Sequence, residues 1–246
     1  MTDGQDRTLD STDGLSEMTE ASESPQVESA HDDLEGSPVL SAVLGDALPK
    51  MEMFHVKLSR EGVERGLIGP REVGRLWERH ILNSASLAPF IEGFARQSRI
   101  AHLRVADVGS GAGFPGIVLG AMLPDHYFTL IEPMERRCQW LQEVIDELDL
   151  KNVRVQRNRA EELHGRERFD VVTCRAVARM TKLAPWVMPL LRRGGRLIAL
   201  KGASAGIEVE KAAAVIRHER GFNARVHEAP VGEGLEPTHV VTVDKR

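Results

Sequence analysis

The stretch Asp107-Val108-Gly109-Ser110-Gly111-Ala112-Gly113-Phe114-Pro115-Gly116 constrains this chain more than any other. It follows an apolar run, Leu103 to Val108, and precedes a helical pattern from Ile117 to Met122, so it marks the turn where a first strand passes into a first helix. Glycine tolerates the left-handed backbone that a sharp turn needs and lets the chain approach a ligand closely. The helix N-terminus beyond offers unpaired N–H groups to an anion. Such a turn belongs to a doubly wound α/β sheet and points to a nucleotide. Gly111, Gly113 and Gly116 also satisfy the GxGxxG dinucleotide spacing, with Glu132 placed to hold a ribose, so the glycines alone leave the cofactor open.

The rest of the chain supplies the sheet. Strands are expected at Tyr127 to Ile131, Val153 to Val155, Phe169 to Cys174 and Arg196 to Leu200, alternating with helices at Arg136 to Leu148, Leu183 to Leu191 and Ile207 to Glu219. Phe222 to His227 and Thr238 to Val243 are joined by a Gly/Pro-rich connection too short for a crossover helix, which predicts an antiparallel pair. The expectation is a Rossmann-like, mostly parallel seven-stranded α/β sheet over residues 100–246. Upstream, Leu40, Val43, Leu44, Ala47, Met51, Phe54, Leu58, Val73, Leu76, Trp77 and Ile81 recur at helical spacing and predict short helices forming a cap over residues 39–99.

At 41% hydrophobic over 246 residues, the chain can bury one full-sized core and a small appendage. Its net charge of −5 is unevenly spread: residues 1–36 hold eleven carboxylates and one arginine, Arg7, for −10, which leaves +5 for residues 37–246. Residues 1–38 are therefore read as a disordered acidic tail that cannot bury enough apolar surface to offset its ordering entropy. No run reaches the roughly 18 to 20 apolar residues that a membrane helix needs. Two isolated cysteines, Cys138 and Cys174, suggest neither a disulfide framework nor a zinc site, so a cytoplasmic, metal-free protein is expected.

Three features favour S-adenosylmethionine over a dinucleotide. Asp107, two residues before the first glycine, is placed either to orient the loop or to accept the cofactor's ammonium group. Phe114 and Pro115 put a bulky ring and a residue without an N–H group into a turn that would otherwise wrap a pyrophosphate. Ala160-Glu161, after the strand at Val153, is placed to meet an adenine ring, with Glu161 as acceptor; the plain alternative for Glu161 is an acid at a helix start.

Several motifs together resemble the GidB or RsmG type of 16S ribosomal RNA guanine-N7 methyltransferase. They are Trp77-Glu78-Arg79-His80-Ile81-Leu82-Asn83-Ser84, the Asp107–Gly116 loop, Glu132-Pro133 with Arg136-Arg137, Arg159-Ala160-Glu161-Glu162-Leu163, Cys174-Arg175-Ala176-Val177-Ala178 and Leu200-Lys201-Gly202. The match spans about Leu67 to Glu228. The resemblance implies a class I S-adenosylmethionine-dependent methyltransferase whose cofactor site is lined by Gly109, Phe114, Ala160, Glu161 and Arg175. Gly111 and Glu132 join them from the loop reading. The implied partner is 16S ribosomal RNA in the small subunit, with the protein acting as a monomer.

The target atom follows by elimination. Methylation of an exocyclic amine usually needs an Asn/Asp-Pro-Pro-aromatic loop where this chain has Arg175-Ala176-Val177. Methylation of a pyrimidine carbon needs a cysteine nucleophile, and neither cysteine has that setting. Guanine N7 carries an in-plane lone pair and no proton, so it needs positioning and no base. Arg175 is expected to bind base or phosphate at its strand end, or else to serve as an ion-pair partner. Arg71, Arg75 and Arg79 recur at i, i+4, i+8 as a basic stripe suited to RNA phosphates. His80 and Lys201 are further RNA-contact candidates; burial, for His80, and a cap on the sheet edge, for Lys201, are the alternatives. A small-molecule methyltransferase would share everything from Asp107 to Arg175 and would differ in having a closed apolar pocket.

Overall fold

The computed structural model describes residues 32–246. The cap comprises α1 (Pro38–Leu44), α2 (Leu48–Glu61), a 3-10 turn Pro70–Arg75, a π-helical turn Trp77–Leu82 running into α3 (Asn83–Ala85), and α4 (Ala88–Ser98). Beyond it come β1 (Arg104–Val108), α5 (Gly116–Met122), β2 (Tyr127–Ile131), α6 (Glu135–Glu147), β3 (Val153–Gln156), β4 (Phe169–Arg175), α7 (Met180–Val187), β5 (Leu191–Lys201), α8 (Ala205–His218), β6 (Gly221–Ala229) and β7 (Thr238–Lys245).

The seven strands form one sheet in the order β3-β2-β1-β4-β5-β7-β6. The first five are parallel, and β7 inserts antiparallel between β5 and β6. Side chains alternate across a pleated strand, and neighbouring residues accordingly enter different cores. Val105, Val171, Ile198 and Val240 pack with the cap, α5 and α6 on one face; Ala106, Val172, Leu197 and Val241 pack with α7 and α8 on the other. Strand order reverses between β1 and β4, which opens a crevice at their carboxyl ends, where ligands bind in such sheets.

Two expected boundaries move. The expected helix through Leu191 ends at Val187, because Pro189 removes a backbone donor just beyond it and Met188–Leu190 tightens into a 3-10 turn. β5 then starts at Leu191, opposite Phe169, and the next pair is Arg196 with Val171, so Arg192-Arg193-Gly194-Gly195 bulges inside the strand. The basic stripe is also corrected: Pro70–Arg75 is 3-10 and Trp77–Leu82 is π-helical, so the 3.6-residue period that would align Arg71, Arg75 and Arg79 does not apply.

The tail expectation for residues 1–31 lies outside the described residues. Its boundary at 38 is too late, because Asp32 is 2% exposed. Its carboxylate accepts from the Trp77 N–H at 3.0 Å and the Leu34 N–H at 3.3 Å, and lies 3.3 Å from His55 Nε2; the His55 ring stacks on Trp77 with centroids 4.6 Å apart. Burial raises the Asp32 carboxyl, but the bonds from His55, Trp77 and Leu34 and the His55 charge outweigh it and hold the group below the usual aspartate value. The clasp is therefore complete above the ordinary aspartate pKa and is lost as pH falls below it. Asp32→Ala leaves a buried N–H without an acceptor, a loss of about 1–3 kcal/mol. At about 2–4 °C per kcal/mol for a chain of this size, the expected drop in Tm is roughly 2 to 12 °C by circular dichroism. An unchanged Tm would show that residues 32–37 are not docked.

Candidate cofactor and acceptor site

The glycine loop is held by the two strands that flank it. The Gly109 N–H donates to Ile131 O at 2.8 Å, and the Gly111 N–H donates to Glu132 Oε2 at 3.0 Å. Gly109 and Gly111 are left-handed, at φ 72° and 56°, as the tight turn requires. Asp107 is fully buried, and its Oδ2 accepts from the Gly116 N–H at 3.0 Å, tying the end of β1 to the start of α5. Burial pushes its carboxyl up to about 7 despite that bond. Of the two roles expected for Asp107, the bond from Gly116 is the loop-orienting one, and its Oδ1 is buried without a partner among the described residues.

Glu132, 2% exposed, also accepts from the Met134 N–H at 3.0 Å, so each carboxylate oxygen already holds one backbone N–H. It anchors the loop, and a lone pair on each oxygen is left for a ribose. Gly109, Gly111, Phe114, His80 and Arg175 come together around a cleft of about 160 Å³ that Arg137 also lines. Ala160 is buried in the core on the α7 and α8 face and Glu161 is exposed beside it; both follow β3, and neither lines that cleft.

Arg175 closes the cleft from the end of β4. Its Nη1 donates to Arg79 O at 3.0 Å and its Nη2 to His80 Nδ1 at 2.8 Å, while the guanidinium carbon lies 4.8 Å from the Phe114 ring centroid. Burial lowers its pKa to about 10, which leaves it cationic at neutral pH. His80 is buried, and its pKa falls to about 4, chiefly through desolvation and then the Arg175 charge. A neutral ring is also what acceptance at Nδ1 requires. Its Nε2 lies 3.1 Å from Glu72 Oε1, without the alignment of a hydrogen bond. His80 is thus a wall of the cleft, and direct RNA contact is withdrawn. Because the folded state resists protonating His80, stability should fall as pH drops from about 6.5 toward 4. His80→Gln should remove that part of the slope in a Tm-against-pH series, and an identical slope would refute the assignment.

A second cleft of about 470 Å³ lies on the other side of Arg175 and Ala176, lined also by Asn83, Val177, Arg179 and Lys201. Ala176, shared by both clefts, is left-handed at φ 54°, a costly backbone for a residue with a Cβ. Lys201 is the capping alternative and not a free phosphate ligand. Its side chain is 10% exposed, and its Nζ donates to Ala178 O at 2.5 Å and Glu208 Oε2 at 3.0 Å. Glu208 Oε2 also accepts from the Met180 N–H at 3.1 Å, so the pair clamps the loop that carries Ala176. Lys201→Met should lower Tm by roughly 2 to 12 °C, from about 1–3 kcal/mol for the half-unpaired Glu208. Lost RNA affinity at unchanged Tm would restore Lys201 as a phosphate contact. Arg79 is exposed, and its carbonyl is what holds Arg175.

Sequence reasoning missed Arg137 and Ala176 as site residues. Among the described residues, Arg137 Nε is buried with no partner in the wall of the first cleft, an orphan donor suited to a carboxylate. Both residues stand in motifs that carry the resemblance, but nothing in residue type or spacing marks Arg137 as an orphan donor or Ala176 as left-handed. The residues around the first cleft fit S-adenosylmethionine: Arg137, with its orphan Nε, would hold the amino-acid carboxylate, and Glu132 would accept from the ribose. Fold and site together define a class I S-adenosylmethionine-dependent methyltransferase, and the dinucleotide reading of the glycines is set aside.

The family model GidB, described as rRNA small subunit methyltransferase G, matches residues 47–233, and the chain belongs to that family. It is 53% identical over 242 residues to Ribosomal RNA small subunit methyltransferase G of Bifidobacterium adolescentis, covering 88% of this chain and 96% of that protein. It is 56% identical over 221 residues to the protein of the same name from Bifidobacterium longum, covering 87% and 99%. The Arthrobacter sp. protein of that name is 51% identical, covering 82% and 90%.

Proposed function

We propose that the chain transfers the methyl group of S-adenosylmethionine to N7 of a guanine in 16S ribosomal RNA of the small subunit, acting in the cytoplasm as a metal-free monomer. The observation that carries the choice of atom is the second cleft, which among the described residues offers neither a free base nor a nucleophile. Its carboxylate, Glu208, is committed to Lys201 and the Met180 N–H. Behind it, Cys174 is buried, and burial pushes its thiol up to about 12, far from a reactive thiolate. An atom that must lose a proton or be attacked by sulfur finds no partner there. N7 needs neither.

S-adenosylmethionine supplies a methyl group activated on a sulfonium. An acceptor with a free lone pair, such as N7, would take that group without giving up a proton, so the chain would need no base there. The protein's contribution is placement, which holds reacting atoms about 3–3.5 Å apart and in line. Arg175, braced by Phe114, His80 and Arg79 O, forms the partition between the clefts, and its three remaining N–H groups are available to the base or a phosphate. The Lys201–Glu208 clamp holds the Ala176 turn that completes that partition.

The test is transfer of labelled methyl from S-adenosylmethionine to small subunits lacking the modification, beside naked 16S RNA and small-molecule pools. Label at guanine N7 is expected. Label confined to a small molecule would overturn the reading and leave the class of enzyme intact.

A further inference from the structure

The carboxyl ends of β1, β4 and β5 carry the two clefts already described. At the opposite edge, the start of β5, the start of β6 and the end of β7 converge. Two adjoining clefts of about 540 and 580 Å³ open there, and both are lined by Arg220 and Arg246. Arg217 completes the cations of the first; Arg168, Arg193 and Lys245 complete those of the second. Five of these six cations are exposed and Lys245 is half-buried.

Three surrounding carboxylates are committed elsewhere: Glu167 pairs with Arg104, Asp170 with Arg192 and Asp244 with Arg196, while Glu219 lies 3.1 Å from the adjacent His218 ring. Among the described residues, none of the six cations has a carboxylate within ion-pair distance. Arg168 and Lys245 donate to the Glu167 and Glu219 carbonyls, and Arg246 lies over the Phe222 ring at 5.1 Å. Burial lowers the Lys245 pKa, and the Arg220 and Arg168 charges lower it further against the pull of Glu219. Like charges crowded without counter-ions raise the energy of the folded state and attract an anion.

We propose that this cluster is a second anchoring surface, remote from the methyl-transfer site, that grips backbone phosphates of the RNA substrate. The proposal rests on the ribosomal RNA reading above. Two broad adjoining clefts suit a run of phosphodiesters, and arginine forks match phosphate oxygens bidentately. Contacts of this kind carry no sequence information and fix the orientation of the enzyme on its substrate. A chain of 27.2 kDa gripped at two opposite edges has its approach to the target base set by binding energy drawn far from the reacting atoms.

The test compares the full-length chain with Arg168→Glu/Arg193→Glu, two exposed positions outside the cofactor site. Each lost phosphate contact reduces the slope of log affinity against log salt by about 0.7–0.9. The double variant should therefore lose about 1.4–1.8 from the slope for small-subunit binding, and its KM for subunits should rise about 10-fold or more. Its affinity for S-adenosylmethionine and its kcat at saturating subunit should be unchanged. Should charge reversal disturb folding, Arg168→Gln/Arg193→Gln reads the same slope. An unchanged slope and KM in a variant that still binds S-adenosylmethionine would overturn the proposal. If the wild-type chain labelled no RNA, the functional reading would fall on its own, because the binding slope still decides whether this surface holds phosphates.

Discussion

Arg175→Ala is expected to lower methyl transfer about 100-fold, the scale of a misplacement of the reacting groups by about 1 Å, while the chain stays folded. Arg175 touches three parts of the site at once: the Phe114 ring of the glycine loop, the His80 ring, and the Arg79 carbonyl of the cap. Removing it opens the wall that the two clefts share. The folding cost is smaller, because both clefts are open and water can reach the acceptors left behind; two hydrogen bonds account for about 1–3 kcal/mol. Arg175→Lys should recover little, since an ammonium cannot lie flat on Phe114 while donating in a fixed fork to two acceptors. Steady-state transfer with a melting curve on the same samples checks this. A normal rate in a folded variant would remove Arg175 from the mechanism.

Gly116→Val should cost stability more than any other single change considered. A Cβ at Gly116 would lie 2.2 Å from Leu130 Cδ2 and 2.6 Å from Asp107 Oδ2, and both side chains are wholly buried in central strands. Neither can swing away, so the strain falls on the β1–α5 junction. Overpacking of this severity costs about 3 kcal/mol or more, a Tm drop of roughly 6 to 12 °C or greater. Gly111→Ala gives the contrast. Its Cβ would meet only Gly109 O, at 3.8 Å, so its cost is the left-handed backbone alone, about 1–2 kcal/mol, with the larger effect on cofactor affinity. Equal Tm losses in the two variants would refute this division between packing and binding.

Much of the fold was legible in the chain. The period-2 and period-3.6 patterns located every strand, and β2 falls at the expected residues, Tyr127 to Ile131. Boundaries failed where glycine or proline chemistry had two outcomes: Arg192-Arg193-Gly194-Gly195 reads as a turn yet bulges within β5, and Pro70 to Leu82 reads as α-helix yet winds as 3-10 and π turns. Within the site, the glycine loop, Phe114 and Arg175 were found by motif and position. The misassigned residues, His80 and Lys201, are polar side chains whose role depends on what faces them.

The sequence by itself determined the order of elements, the glycine turn after β1, the antiparallel β6–β7 pair and the absence of an amine-methylating loop or a nucleophilic cysteine after β4. Those are local properties, set by residue type and spacing within about ten positions. Only the tertiary structure decided that Arg175 would meet His80 across 95 residues of chain, and that Asp107 would turn inward to Gly116. It also decided that Lys201 would be neutralised by Glu208, and that six cations would gather at the far edge of the sheet with no ion-pair partner among the described residues. A side chain's charge is written in the sequence; whether that charge is paired, buried or free depends on which distant segments the sheet order brings beside it.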